Sequence, residues 1–332
     1  MKTTMLRRLI LGTVAAAIAV PAAFAQIPSG SAQAYPSKPL ELVVHTAPGG
    51  GTDIIARVVA DILTREKLVN QPVNVLNRPG GGGAIAYTYI KSKRGEPHTI
   101  MTVATMALLS QTMRPELGLG LENYTPLAFL AQDPQAVMVS VDSPYKTFKD
   151  LIDAARREPN SLVASITSPG GTGRMMVWLI ERETATRYKV VSFKSGGDAI
   201  LQVMGGHTHF STENISEGYA AVESKKLRVL AVSSAQRLPI VPDAPTLREL
   251  GYDIHVGTER GFVMPAAVPK EAAAQMEAVL ERVYKSAAWK EHAERNMYEN
   301  IWMGSADYAR HLAKRRVLVQ EFLQAIGIAP KP

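Results

Sequence analysis

The chain has 332 residues with no cysteine, 37 lysines and arginines against 30 aspartates and glutamates, and a formal charge of +7. The lack of cysteine excludes a disulfide, a thiolate metal site, a thiol nucleophile and a lipid-anchoring cysteine, and basic residues scattered among acidic ones do not make a nucleic-acid surface. A chain of this size buries about three-quarters of its unfolded surface and tends to divide into more than one core, so two domains are expected.

Lys2, Arg7 and Arg8 precede an apolar run from Leu9 to Ala23 and the site Ala23-Phe24-Ala25. This is the pattern of a signal peptide, residues 1–25, cleaved after about Ala25. Its removal takes away three basic residues and no acidic one, leaving +4 on the mature chain. Arg7-Arg8 ahead of Leu9 also fits a twin-arginine signal, so the export route stays open. The expected location is the periplasm, since no later segment approaches the roughly 20 apolar residues of a membrane helix.

Beyond a polar linker, Leu40–Val44 reads as a buried strand, and Ile55, Val58, Val59, Ile62 and Leu63 recur at helical spacing. Strand and helix then alternate: 72–77 strand, 84–91 helix, 98–104 and 136–141 strands. Thr147 with Asp150 forms a capping box ahead of Leu151, Ile152 and Ala155. Short strands follow at 162–166, 190–193, 208–211 and 227–232, with helices at 175–183 and 198–204 between them. After Pro265 the pattern is helical, over 271–286, 287–295 and 306–326. The alternation implies an α/β fold of mostly parallel sheets flanked by helices.

Four glycine-rich turns, at Pro48–Asp53, Pro79–Gly83, Pro169–Arg174 and Ser195–Asp198, each follow a strand and open a helix. Ligands of open α/β sheets bind at the carboxyl ends of strands, and a helix N-terminus offers free N–H groups and a positive dipole end to an anion. The same turns also serve simply as tight turns. Gly81-Gly82-Gly83-Ala84-Ile85-Ala86 fits a loose dinucleotide pattern, but the next strand ends Val103-Ala104-Thr105 without the expected acid. There is no Gly-Lys-Ser/Thr loop, G-x-S-x-G elbow or H-E-x-x-H helix. His207 and His209, with Glu213 beyond, make a metal site conceivable, but a strand entering a hinge with its side chains toward water is the better reading. His45 either touches a ligand or packs beneath the first turn.

In order, Tyr35-Pro36-Ser37-Lys38-Pro39, Ala47-Pro48-Gly49-Gly50-Gly51-Thr52-Asp53, Asn77-Arg78-Pro79-Gly80, Gly205-Gly206, the run 230–237, Pro242-Asp243-Ala244-Pro245-Thr246 and Gly261-Phe262-Val263-Met264-Pro265 line the chain. Over nearly its whole mature length it resembles the Bug-type solute-binding receptors of tripartite tricarboxylate transporters. The resemblance implies a type II periplasmic-binding-protein fold with two hinge crossings, near 129–139 and 255–264. Domain 1 would comprise 34–132 and 257–332, and domain 2 would comprise 133–256. It further implies a monomeric, non-enzymatic receptor without cofactor or metal. Such a receptor holds a small carboxylate between its domains and delivers it to the permease subunits of the transporter.

On this resemblance, Gly49, Gly50, Gly51 and Thr52, in a loop opened by Pro48, present backbone N–H groups to one ligand carboxylate, with Asp53 as a helix-start residue or a ligand neighbour. Thr105 closes the third strand on the same side. Ser168, Gly170, Gly171, Thr172 and Gly173 receive the other end of the ligand, and Arg174 adds an ion pair. Glu213 and Asn214 form a wall where relatives usually carry an aspartate. Arg260 stands where many relatives have an aromatic residue, and it engages a carboxylate or pairs with Glu259 or another hinge acid; its planar fork matches a carboxylate. The expected ligand is an aliphatic di- or tricarboxylate or an aromatic one such as terephthalate. A secreted carboxylate-processing enzyme, or a receptor feeding a sensor, stands as the alternative.

Overall fold

The computed structural model describes residues 35–328; the leader and its cleavage site lie outside them. Leu40–Val44 forms β1, an almost wholly buried strand. A glycine turn leads into α1 (Gly51–Arg65), whose buried stripe of Ile55, Ala56, Val59, Ile62 and Leu63 is the face read from the helical period. Strand β2 (Val73–Asn77), helix α2 (Ala84–Ser92), strand β3 (Thr99–Ala104) and helix α3 (Thr105–Thr112) complete the first set of strand–helix units.

The chain then crosses between two sheets. β4 (Tyr124–Pro134) belongs to the first and β5 (Ala136–Ser140) to the second, with Gln135 between them. α4 (Phe148–Arg157) starts at the Thr147–Asp150 capping box, with both reciprocal hydrogen bonds in place. β6 (Val163–Ile166), α5 (Thr172–Thr184), β7 (Lys189–Ser192), α6 (Gly196–Met204), β8 (Phe210–Ser211), α7 (Ile215–Glu223) and β9 (Leu227–Val232) follow. β10 (Gly257–Pro265) returns to the first sheet, followed by α8 (Lys270–Lys285), α9 (Ala287–Arg295), β11 (Glu299–Gly304) and α10 (Ser305–Ala325).

The first sheet runs β11-β4-β10-β3-β1-β2 and the second β7-β6-β8-β5-β9. Both are mixed. β1 pairs in parallel with β2 and β3, and β6 with β7 and β8, as the intervening helices require. Strands adjoining the crossings pair antiparallel: β10 with β3 and β4, and β5 with β8 and β9.

One core packs α1, α8 and α9 on the first sheet and another packs α6 and α7 on the second. A third is continuous from the α2–α3 side of the first sheet to α4 and α5 on the second, and it includes Tyr308, Leu312, Val319, Phe322 and Leu323 of α10. These are largely the stripe expected on the last helix. Within this core Trp178 of α5 meets Phe322 of α10 with ring centroids 5.7 Å apart. Among the described residues no helix is long and apolar enough to cross a membrane.

Candidate functional site

The strand-to-helix turns of both sheets converge on the crossing strands, and β10 carries the central side chain. Neighbouring residues of a strand point to opposite faces, and Glu259 and Arg260 divide accordingly. Glu259 turns toward α10, where Arg315 Nε lies at 2.8 Å and His311 Nε2 at 3.0 Å. Burial alone would raise its pKa, but Arg315, His311 and Thr105 outweigh it and hold the carboxylate at about 2. Thr105 is thereby tied to this inner network, with its hydroxyl also 3.4 Å from that of Tyr308.

Arg260 turns the other way. It is 6% exposed, lies between Ala104 and Ala131 in the sheet, and brings Nη2 to 3.6 Å from Asp133 Oδ2. Among the described residues its Nε has no hydrogen-bond partner. A Cβ placed on Gly51 would lie only 2.9 Å from Arg260 Nη2, so the guanidinium reaches the first residue of α1. By helix geometry the amides of Gly51 and Thr52 have no intrahelical acceptor. The positive end of α1 and a buried guanidinium therefore meet at one spot.

The turn leading there is clamped from inside. Gly49 takes φ +83°, a left-handed conformation suited to glycine, and its N–H donates to Asp53 Oδ2 at 2.8 Å. Arg57 Nε donates to the same oxygen at 2.9 Å, and Asn77 Nδ2 donates to Oδ1 at 2.8 Å and to the Thr46 carbonyl at 3.0 Å. Burial opposes ionisation of Asp53, yet these hydrogen bonds hold its pKa below the usual carboxylate range. Asp53 thus fixes the turn and engages the Gly49 amide itself, while Pro48 and Gly49 lie on the exposed rim. Beneath the turn, His45 stacks on Tyr87 with centroids 5.7 Å apart. Burial and the nearby Arg260 charge lower its pKa to about 4.

In the second sheet, Ser168 and Gly171 close a turn (Gly171 N–H to Ser168 O, 3.0 Å), and Thr172 begins α5. Gly170 packs toward Leu323 and Ile328. The Gly173 carbonyl accepts from Thr212 Oγ1 at 2.9 Å. Arg174 leaves this group: Nη1 lies 3.3 Å from Glu181 Oε2, one face of α5 away, where both line a cavity of about 300 Å3 with Trp178 and Ile326. Asn214 ties the crossings together, donating to the Asp133 carbonyl at 2.8 Å and accepting from Thr258 Oγ1 at 3.1 Å. Glu213 is 5% exposed with Oε1 unpartnered, and burial pushes its pKa up to about 7. His207 and His209 lie before β8, and His209 Nδ1 accepts the Val163 N–H at 3.0 Å. Among the described residues, no group of three or more histidines or acids is arranged to hold a metal ion.

Three side chains join this site that the sequence reading did not single out. Asp133, at the end of β4, is buried, accepts from Ser216 Oγ at 2.9 Å and leaves Oδ1 unpartnered. Its burial outweighs Arg260 and raises its pKa to about 7. Glu217, on α7, is likewise raised by burial against the pull of Arg260. Tyr298 lies with its ring centroid 6.0 Å from the Arg260 guanidinium carbon. The signal for Asp133 was an acid closing the otherwise apolar run Leu127-Ala128-Phe129-Leu130-Ala131.

The family model described as "Tripartite tricarboxylate transporter family receptor" matches residues 55–328. Protein BugT of Bordetella pertussis is 27% identical over 237 residues, covering 70% of this chain and 72% of that protein. A solved TctC solute-binding protein from Polaromonas, without ligand, is 27% identical with TM-score 0.75, covering 88% of this chain and 99% of that one. An adipate-bound R. palustris protein is 23% identical with TM-score 0.73, covering 90% and 100%. The chain belongs to the receptors of the tripartite tricarboxylate transporter family.

Proposed function

We propose that the chain is a periplasmic solute-binding protein that captures a small organic acid between its two sheets and passes it to a tripartite permease. The observation carrying this reading is the buried Arg260 guanidinium held beside the first residue of α1, with Nε unpartnered. A carboxylate placed there would receive a bidentate or Nε-directed contact from Arg260 together with first-turn amides of α1. The rigid clamp of Asp53, Arg57 and Asn77 supports the reading, because a turn already ordered costs little further entropy on binding.

The two units of the receptor are residues 34–132 with 257–332, and 133–256, hinged where β4 passes into β5 and where the chain re-enters β10. Ligand binding biases this hinge toward closure. A micromolar receptor needs only about −8 kcal/mol, which one guanidinium–carboxylate contact and a few amide hydrogen bonds in a cleft supply. Adipate, seen on the R. palustris relative, makes dicarboxylic acids the first probes. Thr52 and Arg260 hold the acid, Thr172 and Gly173 line the opposing wall, and Asp53 and Asn214 position the elements around them.

Isothermal titration of the mature protein against a carboxylic-acid panel tests this reading. Saturable binding of an acid, lost in Arg260→Ala, supports it. Failure of every carboxylate to bind, or binding indifferent to Arg260, overturns it. Delivery is tested by uptake of the bound acid in cells with and without this gene.

A further inference from the structure

The wall facing Arg260 is built from acids. Asp133, Glu213 and Glu217 come from the end of β4, the segment after β8 and the first turn of α7, and Glu217 is close enough to both of the others to raise their cost of ionisation. Glu213 Oε1 lies 3.3 Å from where a Cβ on Gly173 would sit, and a Cβ on Gly196 would coincide with Glu217 Oε2. The N-terminal turn of α5, which the resemblance reserved for the far end of a ligand, and that of α6 thus already have the chain's own carboxylates against them.

Arg260 is the facing cation, His45 is held neutral by burial, and Tyr298 is a neutral phenol. Ser216 donates to Asp133 Oδ2 and leaves Oδ1 without a partner, as Glu213 leaves Oε1. Both side chains are more than nine-tenths buried, as is Arg260 with its unpartnered Nε. Buried acceptors without donors, on side chains left without enough counter-charge, are costly. They lie opposite a guanidinium that offers a donor without an acceptor.

Building on the carboxylate-capture reading above, we infer that the ligand is an amine-bearing acid. Its carboxylate meets Arg260 and the start of α1, and its protonated nitrogen meets the Asp133–Glu213–Glu217 wall. An ammonium supplies up to three N–H donors and one positive charge, matching the unpartnered oxygens. A second carboxylate would add like charge beside two buried acids, Asp133 and Glu213, and their neighbour Glu217.

The test is a paired titration at pH 7.5 of amino acids and ω-amino acids against their desamino counterparts, such as glutamate with glutarate and 4-aminobutyrate with butyrate. At least one amine-bearing acid is expected to bind 10-fold or more tightly than its partner. Glu213→Gln and Glu217→Gln are each expected to shrink that ratio at least threefold while the unliganded variants melt no lower than the parent. Tighter binding of the desamino acids overturns the inference and leaves carboxylate capture standing. A ratio unchanged in both glutamine variants also overturns it. If no acid of either set binds, the underlying reading itself falls.

Discussion

Arg260 Nη2 stands 3.6 Å from Asp133 Oδ2, and the two side chains are among the most buried charged groups of the chain. They come from adjacent antiparallel strands of the first sheet, close to where the chain leaves that sheet after β4 and re-enters it at β10. Truncating one member of a buried pair removes its partner's counter-charge. Arg260→Ala is therefore expected to weaken acid binding by about 2–4 kcal/mol, roughly 30- to 1,000-fold in Kd. Titration calorimetry measures the loss, and circular dichroism checks that the fold persists.

Gly51→Ala probes the same guanidinium from the other side. The new methyl would stand 2.9 Å from Arg260 Nη2, the far end of a flexible side chain, so the guanidinium must move and the helix need not. Alanine at the first helical position is otherwise favourable. Affinity is expected to fall by about tenfold, with a melting temperature within a few degrees of the parent.

Arg174→Ala is expected to leave acid affinity within about twofold, because its guanidinium is engaged by Glu181 on the α10-facing side of α5. The cost falls on stability instead. Among the described residues Glu181 then keeps the Tyr188 N–H at 3.1 Å as its hydrogen-bond donor while staying buried, a loss of about 1–3 kcal/mol. Urea denaturation and a binding isotherm together separate the two effects.

The pH dependence of the unliganded protein has two opposed contributions. Asp133 and Glu213 have folded pKa values raised to about 7 from 3.8 and 4.5. The stability they contribute is therefore fully present below pH 4 and lost as pH rises through 7. His45, lowered from 6.5 to about 4, contributes stability that is present above 6.5 and lost as pH falls toward 4. Glu213→Gln is expected to raise the melting temperature at pH 8 by several degrees and to change little at pH 4, since it removes a charge that is buried without enough compensation. Calorimetric scans at both values check this.

Elements with one dominant periodicity were legible in the sequence: β1 with α1, the capped α4, and the stripe of α10. Three elements were not. α3 follows β3 directly, and no side chain caps its start, so no punctuation marks it. α7 contributes only Ile215 and Gly218 to the buried set, too few to show a period. β11 is only partly buried along its length, and its residues do not alternate. The first crossing, expected near 129–139, divides two strands at Gln135, next to Pro134, which lacks an N–H to continue the ladder, and the strand read over 136–141 is β5. At the site, the glycine turns and Arg260 could be placed from residue type and order. The partners of Arg260 and Arg174 could not, because Asp133 and Glu181 meet them only through strand register and helix-face geometry.

The tilted contact of Trp178 with Phe322 gives the protein a built-in optical gauge. The indole rides on α5 with the second sheet and its neighbour on α10 with the first, while Trp289 is wholly buried in the first core and Trp302 packs beside Tyr284. Of the chain's three tryptophans, only this one straddles the two halves. Any swing between them alters its surroundings, and the emission of this single ring follows the movement without an added label.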